Sequence, residues 1–196
     1  MLENMINDYL VSIYILMYLI GSIPFAIITS KIFALPDPRS YGSHNPGATN
    51  VYRSGNKLAA IITLTGDFLK GYIPIMVLFN SNLLNYEIYA LAYLILLGHI
   101  FPITLKFKGG KGVATSLGIL LALNYLIGTV VILIWLIIFF TSRVSGLSAI
   151  ISFLFLPIIV VIFEEHEFML ALSIINMITI LLTHRKNIYG YMLKKP

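Results

Sequence analysis

Two stretches of this chain combine the residue types that hold oxyanions. The first is Arg39-Ser40-Tyr41-Gly42-Ser43-His44-Asn45-Pro46-Gly47-Ala48-Thr49-Asn50, followed shortly by Arg53; the second is Phe107-Lys108-Gly109-Gly110-Lys111-Gly112. Glycines let the backbone adopt positive φ and approach a ligand closely, and successive N–H groups in such turns form concave anion sites. Ser43, Asn45, Thr49 and Asn50 add neutral polar groups, while Arg53 and Lys111 add charge among small residues. A helix starting at Val113 would turn the positive end of its dipole toward the same anion. The chemistry is that of phosphate, or of oxyanions generally, with an ordinary membrane-surface loop as the alternative. Neither stretch is a Walker loop, since Lys111 precedes Gly112 rather than a hydroxyl residue. Two further polar strings, Ser145-Gly146-Leu147-Ser148 and His184-Arg185-Lys186-Asn187, stand outside the apolar runs.

Other chemistries find little support. The chain has no cysteine, which excludes a thiolate nucleophile, a thiolate metal site and a disulfide framework. No Gly-x-Ser-x-Gly elbow occurs. His44, His99, His166 and His184 are too scattered for a metal-ligand set, and no carboxylate cluster joins them, so neither metal nor cofactor is expected. His99, near a span end before Pro102, could satisfy a helix carboxyl end, orient Lys111 or take part in chemistry. His166, among Glu164, Glu165 and Glu167, reads as a solvated loop residue.

These polar segments must be positioned by membrane spans. Hydrophobic residues make up 59% of the chain and charged ones 11%, against roughly 45–50% and about 25% in soluble domains. Windows long enough for the roughly 20 residues of a crossing fall near 9–33, 57–79, 86–105, 113–124, 126–142, 148–163 and 167–183. That predicts an all-α polytopic bundle of about seven spans, forming one domain over 1–196. A helix that stops short of crossing is the alternative for 113–124. The first run lacks a basic leader and a small-residue cleavage site, so it is kept as a span rather than a removable signal.

Charge sidedness supports an odd number of spans. With alternating crossings, Lys31, Arg39, Arg53, Lys57, Lys106, Lys108, Lys111, Arg143, Arg185, Lys186, Lys194 and Lys195 share one side, 12 of the 13 basic residues. The opposite side takes Glu3, Asp8, Glu87, Glu164, Glu165 and Glu167. The positive-inside rule then sets the amino terminus outside and the carboxyl terminus in the cytoplasm. Lys57, Lys194 and Lys195 read as head-group anchors rather than site residues, and the basic balance calls for no nucleic acid. Lys70 and Asp67, three apart within the second span, read as a structural ion pair. Pro24 and Pro74 would kink their spans.

The same strings carry a family resemblance along almost the whole chain, in order. Gly21-Ser22-Ile23-Pro24-Phe25-Ala26 with Asp37 to Asn50, Gly98-His99-Ile100-Phe101-Pro102 with Phe107 to Thr115, Ser145 to Ala149, and His184 to Ile188 closely resemble the motifs of the bacterial acyl-phosphate:glycerol-3-phosphate acyltransferases. The resemblance implies an enzyme of the bacterial cytoplasmic membrane, its site facing the cytoplasm, that acylates the 1-hydroxyl of glycerol 3-phosphate from acyl phosphate. Lysophosphatidic acid and phosphate are the implied products, in the first acylation step of phospholipid synthesis. Membrane lipid and an acyl-phosphate-producing enzyme are implied partners. Carried over position by position, Ser43, Lys111, His184 and Asn187 are implied catalytic groups. Arg53, Asn45, Gly47, Ala48, Thr49, Asn50, Gly109, Gly110, Ser145 and Ser148 are implied binding groups. The family is thought to use no covalent acyl-enzyme, which implies direct attack by the glycerol hydroxyl with phosphate or His184 accepting the proton. No histidine precedes an aspartate by five residues, the arrangement of the acyl-thioester-dependent glycerol-phosphate acyltransferases. Three positions depart from the family pattern: His44 and Gly146 stand where glycine and serine are usual, and Tyr189-Gly190-Tyr191 replaces an arginine-bearing tail.

Overall fold

The computed structural model describes residues 2–79, 81 and 83–193. Lys194 and Lys195 lie outside these, as do the side chains of Glu3 and Asp8. The described residues form helices and no strand: α1 (Leu2–Gly21), α2 (Phe25–Ile32), α3 (Ala48–Tyr52), α4 (Lys57–Leu78), α5 (Asn85–Ile100), α6 (Val113–Leu123), α7 (Tyr125–Ser142), α8 (Ser145–Phe163), α9 (Glu167–Thr183) and α10 (Arg185–Leu193). Four stretches, Lys57–Leu78, Tyr86–Leu105, Tyr125–Ser142 and Ser145–Phe163, are long and apolar enough to cross a membrane alone. Counting the bent pairs α1/α2 (45°) and α9/α10 (63°) as single spans makes six.

The first span is broken where Pro24 withholds a backbone donor. Loose carbonyls in hydrocarbon need partners, and the break receives them from two distant elements. Lys70 Nζ donates to the Ile23 carbonyl (2.7 Å) and Thr104 Oγ1 to that of Ser22 (3.0 Å). Pro74, by contrast, lies within α4 without interrupting it.

The 113–124 segment is the shorter of the two forms allowed by the sequence. α6 has 11 residues, about half a crossing at roughly 1.5 Å per residue. Its shortness follows from the preceding loop, which folds back against the end of α5: the Gly109 N–H donates to the Ile100 carbonyl (3.0 Å) and that of Gly110 to His99 (3.1 Å). α6 therefore begins beside the last turn of α5 rather than beyond it. At its far end Asn124 caps α7 by accepting from the Leu126 and Ile127 amides, and its Nδ2 donates to Glu164 Oε2 at 3.0 Å. The α6/α7 junction thus meets the α8/α9 junction. His166 there packs its ring against Tyr89 and Phe168 (centroids 5.8 and 5.7 Å) rather than standing free in solvent.

Lipid supplies no hydrophobic drive between helices, so they associate through close packing of small residues. A Cβ added at Gly21 or Gly98 would lie 2.1 or 2.3 Å from a carbonyl oxygen across the α1–α5 seam, and one at Gly71 or Gly118 would lie 2.3 or 2.1 Å away across the α4–α6 seam. Between the seams, Ile75, Leu91, Ile95, Leu120, Ile127, Phe153, Leu156 and Met169 form a continuous buried core. α7 faces mostly outward, with 17% of its apolar window buried inside the protein.

Candidate active site

The first polar loop is organised from within by Asn50. Buried at 1% exposure, its Nδ2 donates to the carbonyls of Pro38 (2.6 Å) and Tyr41 (3.1 Å), while its Oδ1 accepts from the Ser43 amide (3.0 Å). Asn50 is therefore the keystone of the loop; its amide is committed and is not a free substrate donor. His44 takes the left-handed conformation (φ 56°) that the usual glycine would supply, and its Nδ1 donates to the Arg39 carbonyl at 3.0 Å. The imidazole offsets the backbone strain locally and turns toward the loop. Arg39 in turn forks onto Asp37, with contacts of 2.7 and 3.0 Å, and holds that carboxyl below the ordinary aspartate range. On the open side stand the Ser43 and Thr49 side chains and the Arg53 guanidinium, the last 3.4 Å from Asn50 Oδ1. Ala48 and Thr49 open α3, where amides have no intrahelical carbonyl to meet.

The second loop meets the carboxyl-terminal tail. Lys111 Nζ donates to Asn187 Oδ1, and Thr183 Oγ1 donates to the Lys111 carbonyl at 3.1 Å. His184 is buried beside them with Nδ1 on the Ile180 carbonyl (2.9 Å). Because a carbonyl only accepts, Nδ1 carries the hydrogen and Nε2 is left with the lone pair in the neutral ring. At the start of α8, Ser145 Oγ shares a hydrogen bond with Thr49 Oγ1 (3.2 Å), joining the serine string to the first loop. Gly146 lets Asn187 come close, since a Cβ there would lie 3.0 Å from Asn187 Nδ2. Lys111, Asn187, His184, Arg53, Thr49 and Ser145 are thus linked across one end of the bundle.

Its electrostatics are strongly positive. Burial first, and then the positive charges of Arg53 and Lys186, hold the Lys111 ammonium below the ordinary lysine value. Of the carboxylates nearest these elements, Asp37 is bound to Arg39 and Asp67 to Lys70. Lys111, Arg53 and Lys186, with no ion-pair partner among the described residues, favour a multiply charged anion among them.

Other residues also differ from their sequence reading. Ser148 is fully buried and its hydroxyl donates to the Val144 carbonyl (3.0 Å), whereas Ser145 Oγ reaches across to Thr49. The Gly109 and Gly110 amides, expected to cradle phosphate, are donated to α5; these glycines serve close approach instead. Lys186 had been counted only as a charge of the cytoplasmic face, yet it acts on Lys111; its place next to Asn187 was the available signal.

Beside the polar end lies an apolar groove of about 610 Å³ between α1, α2 and α4, lined by Ile20, Phe25, Ile62, Leu69, Ile73 and Pro74 among others. Ile23, Phe25 and Lys70 also line a small cavity that runs beneath Pro46, Gly109 and Gly110.

A helical bundle of apolar, span-length helices with a cluster of cations at one end defines an integral-membrane protein with a candidate anion site. Residues 11–194 match the glycerol-3-phosphate acyltransferase family, and the chain belongs to that family of enzymes. A glycerol-3-phosphate acyltransferase of Nitrosomonas eutropha is 50% identical over 175 residues, 87% of this chain and 88% of the relative. That of Nitrosomonas europaea is 49% identical over 183 residues, 91% of each. The crystal structure of PlsY (YgiH), an integral membrane glycerol 3-phosphate acyltransferase, in its glycerol 3-phosphate form superposes with a TM-score of 0.88 at 31% identity, covering 94% of this chain and 92% of that one. Its lysophosphatidic acid form gives 0.86 at 30% identity.

Proposed function

We propose that this enzyme transfers a fatty acyl group from acyl phosphate to the 1-hydroxyl of sn-glycerol 3-phosphate, releasing 1-acyl-sn-glycerol 3-phosphate and inorganic phosphate as the first acylation of phospholipid synthesis. The observation that carries the reading is the cluster of Arg53 and Lys186 around Lys111, which itself donates to Asn187, a site suited to two phosphate-bearing reactants at once. The glycerol oxygen attacks the acyl carbon, the bond from that carbon to the phosphate oxygen breaks, and phosphate leaves with the electron pair. The hydroxyl proton passes to the departing phosphate or to His184 Nε2. Acyl phosphate is already activated, so alignment and charge stabilisation suffice. Ser145 meets a threonine hydroxyl rather than an imidazole, which argues against a covalent acyl-serine. Lysophosphatidic acid and glycerol 3-phosphate bound to PlsY, at 30–31% identity, support the acceptor and product.

In this assignment Lys111 and Arg53 neutralise phosphate charge, Asn187 holds Lys111, and Ser43, Asn45, Thr49 and Ser145 contact substrate, with Gly47 and Ala48 shaping the turn. The acyl chain lies in the groove between α1, α2 and α4, supported by its apolar lining and by the residues Ile23, Phe25 and Lys70 that it shares with the cavity lined by Gly109 and Gly110. The chain forms one domain over 1–196 and makes seven passes through the bacterial inner membrane, the shortest helix among them being α6. Its amino terminus lies outside, and its carboxyl terminus and site lie in the cytoplasm, where an acyl-phosphate-producing enzyme supplies the donor. Charge bias and the Asn124–Glu164 contact support this topology.

The test is acyl transfer by the purified protein in lipid, offering glycerol 3-phosphate with palmitoyl phosphate or a palmitoyl thioester. Product from the phosphate donor alone is expected. Product from the thioester alone refutes the donor assignment, and glycerol 3-phosphate binding without product from either favours an anion carrier.

A further inference from the structure

Beneath the Gly109-Gly110-Lys111 segment lies a buried polar cluster that the proposed reaction does not use. Asp67, Lys70 and His99 are 3%, 6% and 7% exposed. Asp67 Oδ1 is 2.8 Å from Lys70 Nζ and 3.5 Å from His99 Nδ1, so the carboxylate pairs with the lysine and lies beside the imidazole. Each member is anchored to a different element. Lys70 holds the broken first span through the Ile23 carbonyl, and the Asp67 carbonyl accepts from Thr115 Oγ1 (3.0 Å) in the first turns of α6. The opposite edge of the His99 ring faces the loop. A Cβ on Gly110 would lie 2.2 Å from His99 Nε2, and one on Gly109 would lie 2.1 Å from the His99 carbonyl oxygen. The Gly110 amide donates to that same carbonyl. Lys111 follows directly, so the ring forms the floor on which its backbone rests.

A buried ion pair alone contributes little to stability compared with apolar packing of the same volume. Three charged or polar groups stacked under a phosphate-binding lysine call for a different account. We propose that His99, packed between the Asp67 carboxylate and Gly110, is a positioning residue: it sets the height of Gly110 and thereby directs Lys111 at the anion without touching it. The assignment rests on Lys111 binding phosphate, as in the function proposed above. Misplacement of a binding group by about 1 Å can cost on the order of 100-fold in rate, so the floor of such a loop is itself a determinant of activity.

The experiment is a double-mutant cycle on the full chain in lipid nanodiscs, comparing wild type, His99→Gln, Lys111→Ala and the double variant. Inorganic phosphate affinity is read by calorimetry, KM and kcat for glycerol 3-phosphate by assay, and the melting temperature of each variant alongside. His99→Gln is expected to weaken phosphate binding and raise KM on the order of tenfold, with kcat changed less, and the double variant to bind no worse than Lys111→Ala alone. Wild-type affinity in His99→Gln, or an equal loss with and without Lys111, overturns the proposal. Should His99→Gln fail to fold, Gly110→Ala displaces the loop from the other side of the same contact. It must then lose phosphate affinity through Lys111, and unaltered affinity overturns the proposal as well. The phosphate cycle decides the positioning role even if wild type transfers no acyl group, an outcome that would refute only the functional assignment.

Discussion

Lys111 is charged in a place that disfavours its charge, and this makes its response to pH a signature. A bound phosphate stabilises the ammonium and raises its pKa, so binding takes up a proton wherever free Lys111 has lost one. Above pH 7, where the phosphate itself is largely ionised, glycerol 3-phosphate affinity is expected to stay level and then fall as pH rises through the lowered pKa of the free enzyme. Lys111→Arg should move that fall to higher pH, and Lys111→Ala should remove it while lowering kcat/KM by about 10- to 100-fold; KM measured against pH checks both. At the serines, Ser145→Ala should lower kcat/KM and Ser148→Ala should leave it near wild type. Residue types marked Arg53 and Lys111 as candidates, because charge among glycines and hydroxyls has few other uses, whereas Asn187 was marked only by the family resemblance. The choice between Ser145 and Ser148 was not legible: one helical turn separates them, and only tertiary packing closes over the second.

At the level of elements, the sequence revealed the apolar runs and the hairpin at Asn124, while the direction of the loop amides stayed hidden. Glycines at 109 and 110 announce a tight approach, but whether their N–H groups face a ligand or a neighbouring helix depends on where α5 ends. The seams are equally silent in the sequence, since Gly118 in an apolar helix has no visible partner. In the structure it fits against the Phe68 carbonyl of α4. Gly118→Leu is therefore expected to destabilise the protein by about 3 kcal/mol or more, because backbone cannot yield as a side chain does. Denaturation monitored in mild detergent reads this, with Gly190→Ala, where nothing lies within 4 Å, as the neutral control.

For the whole molecule, charge bias gave an orientation that the chain is convenient for testing, as it has no native cysteine. Single cysteines introduced at Ser81 and at Tyr189 are expected to react with a membrane-impermeant thiol reagent from opposite sides of intact cells, Ser81 alone from outside. The groove offers a second test at this scale. Ile62→Trp, filling its wall, should shift preference toward shorter acyl chains, as read by competing palmitoyl and decanoyl phosphates. The break at Pro24 was visible as a proline in an apolar run, but the groove beside it arises from the 45° bend between α1 and α2, an angle that no residue pattern encodes.

In the proposed assignment the groove that takes the acyl chain is walled by exposed Ile61, Ile62 and Ile73 of α4, a lipid-facing helix, so the donor would enter from the bilayer rather than from water. Its effective concentration is then a mole fraction in the plane of the membrane. Diluting the same amount of enzyme and donor with inert phospholipid should slow the reaction, whereas diluting the vesicles with buffer should not.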